Sequence, residues 1–134
     1  MRDFLDEELA RSARNNFRAL LGVEVISVES GSAVLSLPVK EHLLQTSKFV
    51  HGGIFAVLID AVLGTAVRSL LPRDVSAVTV ELNVNLIRPA GEGILYARGR
   101  VVHPGSTLLV GSADIESEEG KLLATGRATF FVKP

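Results

Sequence analysis

One long apolar stretch, residues 54–67, constrains the fold of this chain more than any other feature. Its 14 residues contain a single charged side chain, Asp60. At 3.6 residues per turn, apolar side chains fall on every side of such a helix, so the stretch is predicted to form a helix surrounded by protein. Because a carboxylate in apolar surroundings must find partners or become neutral, Asp60 is a candidate for chemistry.

Length and charge bound the class of protein. A chain of 134 residues is long enough to bury its own core, so we expect one domain over residues 1–134. The net charge of -1, with 14 basic and 15 acidic residues, provides no basic face, so we expect no nucleic-acid partner. The absence of cysteine excludes disulfides and thiolate chemistry and is compatible with a reducing compartment.

The sequence also predicts a protein that does not enter a membrane. The first residues are polar and lack the apolar region of a secretory signal. The long apolar stretch carries Asp60 and ends at Arg68, which disfavours a membrane span. We therefore expect a cytoplasmic protein.

The first half of the chain predicts a helix, a hairpin and a second helix. Apolar residues at near-helical spacing indicate an amphipathic helix over about residues 3–20, ended by Gly22: Leu5, Leu9, Ala13, Phe17 and Leu20. Residues 23–28 and 33–39 are rich in β-branched side chains and flank a turn signal. A loop is expected over residues 40–50, before a helix that runs from Gly52 to about Leu71.

The second half predicts four strands. The first is expected to be half-buried, with Val78, Val80, Leu82, Val84 and Leu86 on one face and Thr79 on the other. In the last strand, small residues at 124, 126 and 128 would let a helix approach the sheet closely. The predicted fold class is α+β, an antiparallel sheet wrapped around one central helix, with a further helix at the N-terminus.

The tripeptide that opens the central helix is the second candidate for chemistry. His51-Gly52-Gly53 places two glycines where a helix has unpaired N–H groups and a partial positive charge. Because glycine lets a substrate approach the backbone, the N–H of Gly52 is the best candidate to polarise a carbonyl, with Gly53 beside it. The alternative is that the two glycines form only a tight turn.

The spacing between these two candidates predicts a dimer. Asp60 lies eight residues beyond Gly52, or about 12 Å along a helix. A carboxylate and an oxyanion donor must each come within about 3.5 Å of one reacting centre. One helix cannot meet both demands, so two copies related by a two-fold axis would have to form two composite sites.

These residues also match a known family. Val50-His51-Gly52-Gly53, followed by Leu58, Asp60 and Gly64, resembles the His-Gly-Gly…Leu-x-Asp signature of hotdog-fold acyl-CoA thioesterases of the phenylacetate-pathway, or PaaI-like, type. The predicted order of helices and strands fits the hotdog fold over nearly the whole chain. The resemblance implies hydrolysis of an acyl-CoA to free acid and coenzyme A, no cofactor apart from the coenzyme A of the substrate, and a homodimer or a dimer of dimers.

The resemblance implies a role for each matching residue. Gly52 would donate to the thioester carbonyl, and Asp60 of the opposite subunit would be the nucleophile or the general base. Gln45 would help to orient water or the thioester, His51 would support the loop, and Thr79 would assist water.

Two positions depart from the family pattern, and two basic residues remain open. The family commonly has glycine where this chain has Lys48, and a basic residue where it has Ser106. Lys48 and Arg88 are candidates for the coenzyme A phosphates, and the alternative for each is a solvated surface charge.

Other chemistries find less support. His42 and His103 have no companions at ligand spacing, so we expect no metal site. The sequence contains no Gly-x-Ser-x-Gly motif for a serine triad.

The remaining alternatives are a hotdog dehydratase or hydratase of 3-hydroxyacyl thioesters and a non-catalytic acyl-CoA-binding module. The acyl group, the choice between dimer and tetramer, and the role of Asp60 as nucleophile or base stay open.

Overall fold

The computed structural model describes residues 2–133, so residues 1 and 134 of the predicted domain lie outside the described range. Within residues 2–133, three α-helices and six strands follow one another, with a short 3₁₀ turn at Glu41–Leu43 before the third helix. In chain order they are α1 (Phe4–Ser12), α2 (Asn16–Leu21), β1 (Glu24–Glu29), β2 (Ser32–Pro38), α3 (Gly52–Arg68), β3 (Ala77–Leu86), β4 (Ile94–Pro104), β5 (Leu108–Glu116) and β6 (Leu122–Val132).

The six strands form one antiparallel sheet in the order β1-β2-β4-β5-β6-β3. Helix α3 packs against all six strands and carries the centre of the core, where Leu58, Val62 and Leu63 are fully buried. The predicted fold class is therefore confirmed. No helix among residues 2–133 is long and apolar enough to cross a membrane.

Small residues on β6 let α3 approach the sheet closely, as the sequence predicts. A Cβ on Gly126 would lie 2.9 Å from Cδ1 of Ile59, and one on Gly111 of β5 would lie 2.6 Å from Cδ2 of Leu63. These contacts are shorter than real carbon contacts, so the helix occupies space that only glycine leaves open.

The prediction of one N-terminal helix over residues 3–20 is wrong in two respects. The segment is two helices, because the chain turns at residues 13–15 and Asn15 caps α2 by accepting a hydrogen bond from the N–H of Arg18 at 3.0 Å. The expected apolar face is also largely exposed, with Phe17 54% and Leu20 70% accessible.

Two of the three buried side chains of α1 and α2 are instead polar, Glu8 and Arg18, and the third is Leu21. Glu8 accepts hydrogen bonds from Arg68 at 2.6 Å and from Arg18 at 3.3 Å, and Thr65 of α3 donates to it at 3.5 Å. Glu8 and Arg18 are both nearly inaccessible. A buried ion pair that is fully hydrogen-bonded holds the N-terminal helices against the second half of α3.

Strand β3 departs from the predicted alternation. A β-bulge between Thr79 and Glu81 adds Val80 as an extra residue, so Thr79 lies on the same face as Leu82 and Val84. The strand is also at an edge of the sheet, and Val80 is 56% and Leu86 59% exposed. The expectation of a half-buried strand is thus wrong for the single chain.

Helix α3 is not surrounded on every side by its own chain. It ends at Arg68 rather than near Leu71, and turns that follow the helix reach Pro72. Along one stripe Val57, Asp60 and Ala61 are only half-buried. The prediction of a helix without an exposed face is therefore wrong within one protomer, because the sheet covers α3 incompletely.

Candidate active site

Asp60 and Thr79 meet on the half-exposed stripe of α3. The hydroxyl of Thr79 donates a hydrogen bond of 2.7 Å to Oδ1 of Asp60. The bulge in β3 makes this contact, since it turns Thr79 towards the helix. Oδ2 of Asp60 has no hydrogen-bond donor within residues 2–133. The carboxylate is therefore oriented by one partner and keeps one oxygen available for chemistry.

The N-terminus of α3 offers unpaired donors. His51 is the N-cap residue, without a side-chain capping bond, and its carbonyl accepts from the N–H of Ile54 at 2.9 Å. No acceptor within residues 2–133 takes the N–H of Gly52 or Gly53. Gly53 is exposed and Gly52 half-buried, so these donors can reach a bound group.

The loop before α3 places Gln45 beside this helix start. Nε2 of Gln45 lies 3.4 Å from the carbonyl oxygen of Val50, and the N–H of His51 donates to Leu43 at 3.0 Å. An isolated bridge between Leu44 and Val50 closes the loop. Gln45 is thus attached, through Val50, to the residues that precede the unpaired N–H groups.

Lys48 adopts the left-handed conformation, with φ of 69°, and it is the one non-glycine residue of the described range with a positive φ in that region. The position is the one where the resembled family commonly has glycine. The backbone geometry explains that preference, because a Cβ is strained in this conformation.

Lys48 and Arg88 lie on neighbouring loops at the same end of the molecule. The N–H of Val50 donates to Ala90 at 2.7 Å, which joins the two loops. Arg88 donates through Nη1 to the carbonyl of Leu122 at 2.9 Å and is otherwise exposed. Their charges therefore flank the start of α3.

The predicted site residues thus form two groups. Gln45, His51, Gly52 and Gly53 gather at the start of α3, with Lys48 and Arg88 around them, whereas Asp60 and Thr79 lie two turns further along. Eight residues of helix separate Gly52 from Asp60, about 12 Å of axial rise. One protomer does not bring its own two groups to one reacting centre.

Sequence reasoning missed a group of arginines around the second half of α3. The buried Arg18 and the half-buried Arg68 both hold Glu8. In the sequence no motif or spacing distinguishes Arg18 or Arg68 from an arginine that a helix exposes. Only the packing of α1 and α2 reveals the cluster.

Comparisons with known proteins identify the family of this chain. The family model of the thioesterase superfamily matches residues 47–124, which include the start of α3, Asp60 and Thr79. The chain is 31% identical over 113 residues to 1,4-dihydroxy-2-naphthoyl-CoA hydrolase of Listeria monocytogenes, covering 84% of this chain and 92% of that protein. It is also 31% identical over 124 residues to human acyl-coenzyme A thioesterase 13, covering 90% and 87% respectively.

A solved structure shows the same fold. The PaaI protein of Escherichia coli, from the phenylacetic acid degradation operon, superposes with a TM-score of 0.90 over 98% of this chain and 94% of that chain, at 23% identity. The matched motif residues, the antiparallel sheet around α3 and these likenesses lead to one conclusion: the chain belongs to the thioesterase superfamily, has the hotdog fold seen in PaaI, and is a thioester hydrolase.

Proposed function

We propose that this protein is an acyl-CoA thioesterase whose active sites are composite, with the Asp60 of one subunit facing the helix start of another. The observation that carries the proposal is the oriented, half-exposed carboxylate of Asp60, about 12 Å from the unpaired N–H groups that the chemistry also needs. The CoA thioesters in the names of the two relatives support the substrate class.

The chemistry follows from the charges of the two groups. The N–H of Gly52, at the positive end of α3, would polarise the thioester carbonyl and stabilise its oxyanion. Asp60 would either attack the carbonyl carbon or take a proton from an attacking water. If water attacked, the carbon–sulfur bond then breaks, the coenzyme A thiolate takes up a proton, and the free acid remains. If Asp60 attacked, loss of the thiolate leaves a mixed anhydride on Asp60, which water hydrolyses to the free acid and the regenerated carboxylate. No metal or redox cofactor is needed, because thioesters are electrophilic.

The edge of the sheet supports a dimer. Strand β3 is ten residues long, pairs with β6 alone among the strands of residues 2–133, and exposes Val78, Val80 and Leu86. An apolar edge of this length would aggregate unless another chain covered it. A second copy that pairs its own β3 there, antiparallel, would also bring its α3 alongside the half-exposed stripe.

Further residues complete the proposal. Gln45 and Thr79 would orient water and the carboxylate, while Lys48 and Arg88 would face the coenzyme A phosphates from their two loops. A cytoplasmic location stays a prediction. The choice between a dimer and a dimer of dimers also stays open, and sedimentation of the purified protein measures it.

A panel of acyl-CoA thioesters, assayed by release of free thiol, tests the function, with Asp60→Asn as the decisive variant. The substitution is nearly isosteric and keeps an acceptor for Thr79, so the fold should persist while turnover falls by roughly 10² to 10⁴. Circular dichroism and sedimentation confirm that the variant is folded. Near-normal thiol release by Asp60→Asn would contradict the catalytic role. Hydration of an enoyl-CoA, or binding without turnover, would identify the dehydratase or the binding module instead.

A further inference from the structure

A cavity of about 360 Å³ lies between the N-terminal helices and the second half of α3. The buried residues Gly64 and Phe130 line its inner side, and the exposed Arg11 and Arg14 line its outer side. None of the residues to which the proposed hydrolysis assigns a role lines it. The cavity therefore needs an explanation of its own.

Its lining is rich in positive charge. Five arginines and three acidic residues surround the space. Of the acidic residues, Glu8 is already taken by Arg68 and Arg18, at 2.6 and 3.3 Å. The lining thus holds more arginines than its carboxylates can neutralise.

The remaining pairs leave the same excess. Glu7 is shared by Arg2 and Arg73, each at 2.8 Å. Within residues 2–133, neither Arg11 nor Arg14 has a carboxylate at ion-pair distance. Asp74, the third acidic residue of the lining, also forms no ion pair among residues 2–133, so two guanidinium groups and one carboxylate border the cavity outside ion pairs and positive charge remains in excess.

The electrostatics of Arg11 show that this excess is felt. The charge of Arg68 is the main cause that lowers the pKa of Arg11 below its ordinary value, followed by burial; the carboxylate of Glu8 opposes this shift, and Arg14 adds to it. Like charges held together in a partly enclosed space attract an anion, which would relieve their repulsion. Guanidinium groups are also suited to carboxylate and phosphate oxygens, which they bind in a bidentate manner.

The cavity lies along the helix from Asp60. Gly64 is one turn and Arg68 two turns beyond Asp60, about 6 and 12 Å of axial rise. Phe130 pairs with Thr79 in the sheet, and Thr79 holds Asp60. The cavity therefore lies within the length of a CoA thioester from a carbonyl placed at Asp60.

We propose that this cavity binds an oxyanion carried by the substrate, with Arg11 and Arg14 as the recognising cations and Arg68 behind them. The inference rests on the proposed thioesterase function and specifies its substrate class. A carboxylate at the far end of the acyl chain and a phosphate of coenzyme A are the two sources of this chemistry.

The test compares dicarboxylic acyl-CoA esters with neutral ones in wild type and in Arg11→Gln/Arg14→Gln. Adipyl-CoA and suberyl-CoA are set against hexanoyl-CoA and octanoyl-CoA, and Arg100→Gln on β4 is the control, since Arg100 is exposed and lies outside the cavity. If the acyl carboxylate is bound, kcat/KM of the double variant falls about tenfold or more for the dicarboxylic esters only.

If a coenzyme A phosphate is bound instead, the double variant loses kcat/KM on all four CoA esters and loses nothing on the corresponding pantetheine thioesters, which lack the phosphates. Either pattern supports the proposal and names the source of the anion. A double variant that behaves like Arg100→Gln on every substrate overturns it.

The anion site can also be tested if the protein proves not to be a thioesterase. If wild type releases no thiol from any ester, thermal unfolding with adipate or inorganic phosphate decides the matter. The anion should raise the Tm of wild type and of Arg100→Gln but not of the double variant. An equal shift in all three proteins would reject the anion site independently of catalysis.

Discussion

At the scale of single residues, the site depends on two backbone irregularities that place ordinary side chains in unusual positions. The bulge at Val80 turns Thr79 towards Asp60, and the positive φ of Lys48 shapes the loop that holds Gln45. Both irregularities have a cost in stability that neighbouring contacts offset, which is common where a loop or strand serves a site.

The hydroxyl of Thr79 should matter for turnover. Thr79→Val keeps the shape of the side chain but removes the donor to Oδ1 of Asp60, so the carboxylate loses its orientation. We expect kcat to fall about tenfold, equivalent to about 1.4 kcal/mol of barrier. Thr79→Ser retains the hydroxyl and serves as the control in the thiol-release assay. Equal activities of the two variants would show that this hydrogen bond does not contribute.

Lys48 should carry measurable strain. A left-handed conformation costs a non-glycine residue roughly 1–2 kcal/mol, whereas glycine costs roughly 0.5–1 kcal/mol in backbone entropy. Lys48→Gly is therefore expected to stabilise the protein by about 0.5–1 kcal/mol in urea unfolding. Ser47→Gly, next to it but without a positive φ, should instead lower stability. If both variants lose stability equally, the strain at Lys48 is absorbed by the loop.

At the scale of elements, the close packing of α3 on the sheet explains how one helix presents two groups of site residues. One group lies at the start of the helix and the other along its half-exposed stripe. Glycines on β5 and β6 leave the space that lets α3 pack close to the sheet. The ion pairs of Glu8 with Arg18 and Arg68 hold α1 and α2 against the second half of α3. The helix is thereby fixed along its length, so both groups of site residues have defined positions.

The close approach predicts a sharp cost at Gly126. A Cβ there would lie 2.5 Å from the backbone oxygen of Asn83 and 2.9 Å from Cδ1 of Ile59. Gly126→Ala should therefore destabilise the protein by roughly 1–3 kcal/mol, because a neighbouring strand and the helix must both shift. Arg127→Ala, on the exposed face of the same strand, should change stability by less than about 0.5 kcal/mol. Urea unfolding followed by circular dichroism compares them, and similar midpoints would contradict the packing argument.

At the scale of the whole molecule, one protomer holds two incomplete halves of a site. Its edge strand is unpaired and apolar, and its central helix has a half-exposed stripe with Asp60 on it. A two-fold pair would cover both surfaces and complete two sites at once.

Mixing two inactive variants tests this arrangement. Gly52→Val should block the thioester; the added Cβ lies 2.8 Å from Cδ1 at the end of the exposed side chain of Leu86, so the fold can adjust. Asp60→Asn removes the carboxylate. In a mixed dimer one site carries both lesions and the other is intact, so random reassortment should restore about a quarter of wild-type activity.

Verified subunit exchange is the control for that experiment. If Gly52 and Asp60 of the same chain served one site, every site would carry a lesion and mixing would restore nothing. Absence of recovery after exchange, or an active monomer in sedimentation, would reject the composite site.

The apolar content of residues 54–67 and the β-branched runs were enough to predict the α+β class, the central helix and its position between strands. Helix and strand periods are local properties of the sequence, and the turns at 89–93 and 118–120 are marked by glycine or proline, whereas the turn predicted at 103–105 begins only after Pro104, the last residue of β4. The His51-Gly52-Gly53 motif likewise stands at the helix start because glycine and the unpaired N–H groups are features of one short segment.

Contacts between distant segments were decided only by the tertiary structure. The bulge that turns Thr79 towards Asp60 depends on pairing with β6, and the split of the first helix depends on burying Glu8 and Arg18 against α3. No local period records these choices, because each is made by packing between residues far apart in the chain. Local sequence patterns thus predicted most of the helices and strands and the candidate site residues. Packing between distant segments then establishes which of these residues come into contact.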